Sequence, residues 1–401
     1  MRTFFTNARL ILEPDAGIVE GGLLMEEGVI REVITGCSEG IADGSPFSAA
    51  EEVIDCGGDY LAPGLVDIHC HGALGSDAMG ASREAFLEIL RHHASRGTTT
   101  ALLTTVAAPL GDVLRVLATA AEFAGEHGIA RLAGIHLEGP YFSPARRGAH
   151  RAEELRLPSI EETSRLLEHA AVIRRMTLAP ELAGVPELLR ELAAHGISAS
   201  AGHSDASEEE AAWGFRSGIT QATHLYNCMS SLHSRDGIKR SGLAEEALVT
   251  KGVLCEVVAD GIHLPPALLR LAWLAKGWGE LVIVSDATAG AGLPEGSTFA
   301  LGGLSCQVRG GASWTAESGQ QRLAGSTIAM IDGVRIMTEQ AGIPLIEAIA
   351  MASFVPARSL GLDHEFGSIA SGKRADLIRF DESWTLKGVW MGGKMASKKV
   401  S

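Results

Sequence analysis

Residues 64–72 read Gly64-Leu65-Val66-Asp67-Ile68-His69-Cys70-His71-Gly72, a short apolar run bounded by glycines and ending in two histidines. A run this short and apolar predicts a buried strand. Side chains alternate along a strand, so His69 and His71 are expected on one face, with Ile68 and Cys70 on the other. Seven similar runs follow, at residues 99–104, 133–137, 176–178, 198–201, 221–224, 254–258 and 281–285. Helical patterns separate them at 83–96, 110–125, 161–170, 185–194, 206–217 and 265–275. Ser207 followed by Glu210 predicts a capping box at the start of one of these helices. Eight alternating units predict an α/β fold, a (β/α)8 TIM-like barrel rather than an open sheet.

The texture differs at both ends of the chain. Residues 4–12, 18–25, 29–34 and 52–55 are strand-like and broken by glycine turns. Residues 375–380 and 384–391 return to that texture. The expected organisation is a small β-sandwich domain built from both chain ends, residues 1–61 plus 364–401, beside a barrel of residues 62–363. Residues 293–322 lack a helical period and predict a β flap.

Composition narrows the function. The chain has 401 residues, enough for two or three domains or one large barrel with an appendage. With 46% apolar and 21% charged residues it matches ordinary globular proteins, which excludes disorder and fibre. The net charge of −15 argues against nucleic-acid binding. No apolar run is long enough to span a membrane. MRTFFTNARL lacks the apolar core and cleavage site of a signal peptide. Six scattered cysteines argue against a disulfide framework, so a cytoplasmic protein is expected.

The reactive residue types collect at strand ends, where a barrel places its active site. Two imidazoles on one face suit a divalent metal. Alone, however, His69 and His71 do not close a metal site. Glu138 ends the run 134–138, and His203 and His224 end two later runs. Asp286 ends a fifth, and with no helical period directly after it, it reads as a general base rather than a helix cap. His136 shares a face with Glu138 and is left outside the ligand set. Cys70 is expected to be packed in the core. His92, His93 and His169 lie in helical patterns and are expected to face solvent.

Several longer strings carry a resemblance. They are APGLVDIHCHG (62–72), HLEGPYFSPARRGAH (136–150), GHSDA (202–206), THLYN (223–227), ADGIHLP (259–265), VSDATAGAG (284–292), LAGSTIAMIDGVR (323–335) and GSIASGKRADL (367–377). In this order they resemble the amidohydrolase superfamily, and within it the N-acetylglucosamine-6-phosphate deacetylases. The resemblance implies a hydrolase of linear amide C–N bonds. Its substrate would be N-acetyl-D-glucosamine 6-phosphate, a small phosphorylated amino sugar, and its place amino-sugar catabolism. It implies one or two divalent metals per chain, zinc foremost, with iron, manganese or cobalt as alternatives. Glu138, His203 and His224 would hold one ion; His69 and His71 would hold a second, with Glu138 bridging. Asp286 would be the catalytic base and then acid. Ala149, His150, Asn227, Cys228, His263, Leu323, Ala324 and Gly325 would bind substrate. The resemblance also implies a homodimer in which Arg235 reaches the neighbouring site to bind phosphate.

The family's Glu-Pro-Gly after that arginine is here replaced by Asp236-Gly237-Ile238-Lys239-Arg240-Ser241-Gly242. Lys239 and Arg240 add positive charge nearby, and Arg146-Arg147 reads either as a second phosphate contact or as an exposed pair. The alternatives are another amidohydrolase, acting on N-acetylgalactosamine 6-phosphate, an N-acyl amino acid or a cyclic amide, and a non-catalytic barrel serving as a binding module.

Overall fold

A computed structural model describes residues 1–36, 50–316 and 321–396. The remaining positions of the two end segments and of the flap lie outside the described residues. Eight strands form the barrel: β1 (Leu65–Cys70), β2 (Thr98–Thr104), β3 (Arg131–Glu138), β4 (Ile173–Leu178), β5 (Ser198–Ala201), β6 (Ile219–Ala222), β7 (Leu254–Val258) and β8 (Leu281–Val284). They pair in chain order, all parallel. The ring closes where β8 returns to β1. There Asp286 N donates to His69 O at 2.9 Å and His71 N donates to Ala287 O at 2.8 Å. Closure and site therefore share the same backbone.

The strands read as apolar runs because helices cover the barrel. Every residue of β2 and β8 is buried. The outer helices are amphipathic. Val185–Ala194 buries Val185, Leu188, Leu189 and Leu192, a helical spacing. The capping box at Ser207 is present, with Glu210 N donating to Ser207 Oγ and Ser207 N to Glu210 Oε2. Three helices outside the anticipated patterns follow the flap: Met330–Glu339, Leu345–Ala352 and Phe354–Ser359. Leu345–Ala352 buries five consecutive residues, which leaves no polar face to mark its period. Among the described residues no helix is long and apolar enough to cross a membrane.

The end segments meet as one mixed sheet that makes the small sandwich. Tyr60–Pro63 pairs antiparallel with Leu377–Phe380, so the N-terminal and C-terminal strands share a ladder. Its own core includes Phe5, Leu10, Leu23, Leu61, Leu377 and Trp390. Phe5 meets Trp390 edge-on, with ring centroids 4.9 Å apart. The flap is an antiparallel meander of Thr298–Leu301, Leu304–Arg309, Ala312–Thr315 and Leu323–Ser326. Phe299, Leu301 and Val308 pack it against Val106 beside the barrel mouth.

Two local expectations fail. The pairing register of β1 with β2 shifts between Asp67 and Cys70, so alternation is broken there. Ile68 packs with Leu102, Val282 and Val284, whereas Asp67 and Cys70 both approach His93. His93 is correspondingly buried, its Nε2 3.0 Å from Cys70 Sγ and 3.1 Å from Gly72 O. It lies on the inner face of helix Arg83–Ser95 rather than in solvent. Cys56, Cys70, Cys228 and Cys255 are free thiols.

Candidate metal centre and active site

Glu138 is the last residue of β3 and sits at the centre of the site. Its Oε1 lies 3.1 Å from His224 Nε2, 3.3 Å from His203 Nε2 and 3.4 Å from His69 Nε2. Its Oε2 lies 3.3 Å from His71 Nε2 and 3.5 Å from His150 Nε2. Asp286 Oδ1 faces His71 Nε2 at 3.3 Å and His69 Nε2 at 3.5 Å. The Nε2 atoms also face one another, at 3.0 Å for His203 and His224 and 3.3 Å for His69 and His71.

The ring tautomers test whether these donors fit a metal. His203 Nδ1 lies 3.0 Å from Arg146 O, and His71 Nδ1 lies 3.2 Å from Thr104 O. A carbonyl only accepts, so Nδ1 of both rings is a donor, and in its neutral form each ring presents an Nε2 lone pair to the site. His69 Nδ1 meets Glu256 Oε2 at 3.1 Å, with the same consequence. His150 is the opposite case. Ala107 N donates to its Nδ1 at 3.1 Å, so its proton sits on Nε2, facing Glu138. His150 is therefore a donor and falls outside the ligand set. Two pairs of imidazole Nε2 atoms held face to face, with a carboxylate between them, are a donor set that suits a divalent cation.

The charge balance points the same way. Burial raises the Glu138 and Asp286 carboxyls, yet the surrounding imidazoles outweigh it and hold both below the usual carboxylate range. Burial opposes protonation of His71, but Asp286 and Glu138 push its pKa up to about 9. Two buried carboxylates thus draw positive charge into the site.

His203, His224 and Asp286 share a placement. Each stands two residues past the end of its strand, β5, β6 and β8 respectively. Each has a left-handed backbone, with φ of 49°, 30° and 49°. Such a conformation at a non-glycine residue costs on the order of 1–3 kcal/mol, which the surrounding packing must offset. Phe142 contributes by stacking on the His203 ring, centroids 4.3 Å apart.

Above these groups opens a cavity. His71, Glu138, His203, His224 and Asp286 form its floor; His69 lies fully buried beneath. Ala149, His150, Asn227, Cys228, His263, Leu323, Ala324 and Gly325 line the walls. His263 Nδ1 donates to Asp260 Oδ2 at 2.7 Å, which leaves Nε2 for the cavity. Gly148 has φ +57°, and a Cβ there would stand 2.6 Å from Cys228 Sγ. Arg146 pairs with Asp205 at 2.7 Å and Arg147 donates to His150 O at 2.6 Å, so neither is a free exposed cation. Arg235 is the exception among the expected site residues. It lies on an exposed hairpin, His233–Arg235 with Ile238–Arg240, and is absent from the cavity of its own chain.

Comparison with known proteins now bears on this geometry. A model of the amidohydrolase family matches residues 60–396. The chain belongs to the amidohydrolase family. It is 35% identical to the N-acetylglucosamine-6-phosphate deacetylase of Bacillus subtilis, over 89% of this chain and 90% of that protein. It is 32% identical to an N-acetylgalactosamine-6-phosphate deacetylase of Escherichia coli O157:H7, over 98% and 100%. The crystal structure of N-acetylglucosamine-6-phosphate deacetylase from Pasteurella multocida superposes with a TM-score of 0.89 at 28% identity, covering 98% of this chain and 99% of that one.

Sequence reading missed several parts of this amidohydrolase's site. Arg151 and Gly302 also line the cavity; Arg151 adjoins an expected site residue, but Gly302 carries no local signal. His136, which the sequence reading left outside the ligand set, lies beside His69 and bridges Thr104 Oγ1 at 3.3 Å and Thr177 Oγ1 at 2.7 Å. Its ring stands edge-on to His69. Glu256 and Arg175, both fully buried, form an ion pair beneath His69 and His224. A charged residue inside an apolar strand was the one available hint of that pair.

Proposed function

We propose that this amidohydrolase cleaves the acetamide of N-acetyl-D-glucosamine 6-phosphate, giving acetate and D-glucosamine 6-phosphate. The convergence of four imidazole Nε2 atoms and two carboxylates at and just beneath the floor of a cavity carries the reading. The relatives named above supply the substrate class. Glu138, His203 and His224 would hold one ion, and His69 and His71 a second with Glu138 between them. Nitrogen and carboxylate donors suit zinc, with iron, manganese and cobalt as alternatives. A divalent ion there lowers the pKa of a water and polarises an amide carbonyl.

The chain's own groups do the rest. Asp286 takes a proton from the attacking water as the new C–O bond forms. The same carboxyl returns it to the amine nitrogen as the C–N bond breaks. His263, its Nε2 turned to the cavity, would donate to the carbonyl oxygen. His150, with its proton on Nε2, would orient a sugar hydroxyl. Asn227, the backbone at Ala149 and Cys228, and the Leu323–Gly325 segment would shape the sugar pocket. Arg235 would bind phosphate in the neighbouring subunit of a homodimer. Ile238 on its hairpin and Leu232 just before it are exposed, apolar surface that a second copy would cover. The free thiols suit the reducing cytoplasm.

A second reading is the galactosamine epimer as substrate. It is favoured by the end-to-end match with the Escherichia coli relative and by the replaced segment at 236–242. Acetate release by metal-reconstituted protein tests both. Turnover of N-acetylglucosamine 6-phosphate well above that of its epimer and of unphosphorylated N-acetylglucosamine is expected. Preference for the epimer selects the second reading, and no turnover of any of the three rejects both.

A further inference from the structure

Glu256 lies on β7, fully buried and outside the cavity. Its Oε2 accepts two hydrogen bonds. One comes from His69 Nδ1 at 3.1 Å, the other from the backbone N–H of His224, also at 3.1 Å. Its Oε1 is held by the Arg175 guanidinium from β4. Arg175 is itself buried, and its Nη2 donates to Ser200 Oγ at 3.0 Å. One carboxylate thus ties a ligand side chain of one candidate ion site to the backbone of a ligand of the other.

The remaining partners of these imidazoles are weaker. His71 and His203 donate to backbone carbonyls, and His224 Nδ1 has no partner. Only His69 donates to an ionised group. A carboxylate on the far ring nitrogen fixes the tautomer and raises the basicity of the coordinating nitrogen. Arg175 neutralises that carboxylate, so the buried layer adds no net charge beneath the site. The hydrogen bond to His224 also restrains a residue with a left-handed backbone.

We propose that Glu256, anchored by Arg175, is a positioning residue that holds His69 to receive a second ion at His69, His71 and Glu138. Uptake of that second ion then depends on β4 and β7 as well as on its own ligands. The inference rests on the metal-dependent reading of the site, but its test needs no substrate and stands apart from the sugar question.

Cobalt titration followed by visible absorption, with elemental analysis of ions retained after gel filtration, reads each site. The unaltered chain is expected to take up two Co2+. Glu256→Gln should keep the first and bind the second about 10- to 100-fold more weakly. Because that variant leaves Arg175 as an unpaired buried cation, the neutral pair Glu256→Gln with Arg175→Met is measured beside it. In the unaltered zinc-loaded protein, a slowly exchanging, downfield Nδ1 proton of His69 is expected in the NMR spectrum. One ion in the unaltered chain, an unweakened second ion in the variants, joint loss of both ions, or absence of that proton signal overturns the proposal.

Discussion

Asp286 combines a charge that burial opposes with a backbone that most residues avoid. Both features guide how it should be tested. Asparagine tolerates the left-handed region better than other non-glycine residues, so Asp286→Asn changes the chemistry with little added strain. Turnover is expected to fall about 100- to 10,000-fold while elemental analysis finds the metal content unchanged, because the proton acceptor is lost and the imidazoles are not. Gly325 makes the complementary case. Its φ is +78°, and a Cβ there would stand 2.7 Å from Asp286 O and 3.3 Å from Asp286 Oδ1. Gly325→Ala should lower stability by about 1–3 kcal/mol in denaturant melts. It should also reduce turnover, since the carboxylate must shift. At this scale the sequence was informative where a histidine falls at a strand end, as at His203 and His224, both of which approach Glu138. It was silent where a role depends on which ring nitrogen carries the proton. His150 and His203 are the same residue type, and only their neighbours, Ala107 N–H and Arg146 C=O, place the proton on Nε2 of one ring and on Nδ1 of the other.

Among elements, strand ends and the first helix behave differently from their sequence patterns. Strand ends announced themselves because an apolar run followed by a polar residue is a local feature. Helix Arg83–Ser95 did not disclose that His93 turns inward and His92 lies partly covered beside it. Burial, reinforced by the Arg96 charge, pushes His92 down to about 4, against 6.5 for a free histidine. Between those values the unfolded chain binds the proton and the folded chain does not. Stability therefore falls as pH drops through that window. Thermal melts at pH 5 and pH 7 should show a smaller difference in Tm for His92→Gln than for the unaltered chain. The helix Leu345–Ala352 marks the other limit of pattern reading, since a segment buried on most sides has no amphipathic period to detect.

For the whole molecule, the cavity contains no Arg235 from its own chain, and the proposed homodimer supplies it in trans. Arg235→Ala should raise KM for the phosphorylated sugar far more than for an unphosphorylated analogue. Mixing Arg235→Ala with Asp286→Asn under subunit exchange should restore activity to on the order of one quarter of the unaltered level, because each mixed dimer has one intact site. No recovery on mixing would place the arginine's action elsewhere. By itself, the sequence determined the alternation that builds the barrel, the return of the chain end to the first sheet, and the order of Glu138, His203, His224 and Asp286 at strand ends. These are legible because period and residue type are local properties. Only the tertiary structure decided that β1 breaks its alternation at Asp67–Cys70, that His93 is buried, and that Glu256 grips His69 across 187 positions of chain. Those outcomes depend on which polar groups the closed barrel brings within about 3 Å of one another, the reach of a hydrogen bond, and that proximity has no signature in any single stretch of sequence.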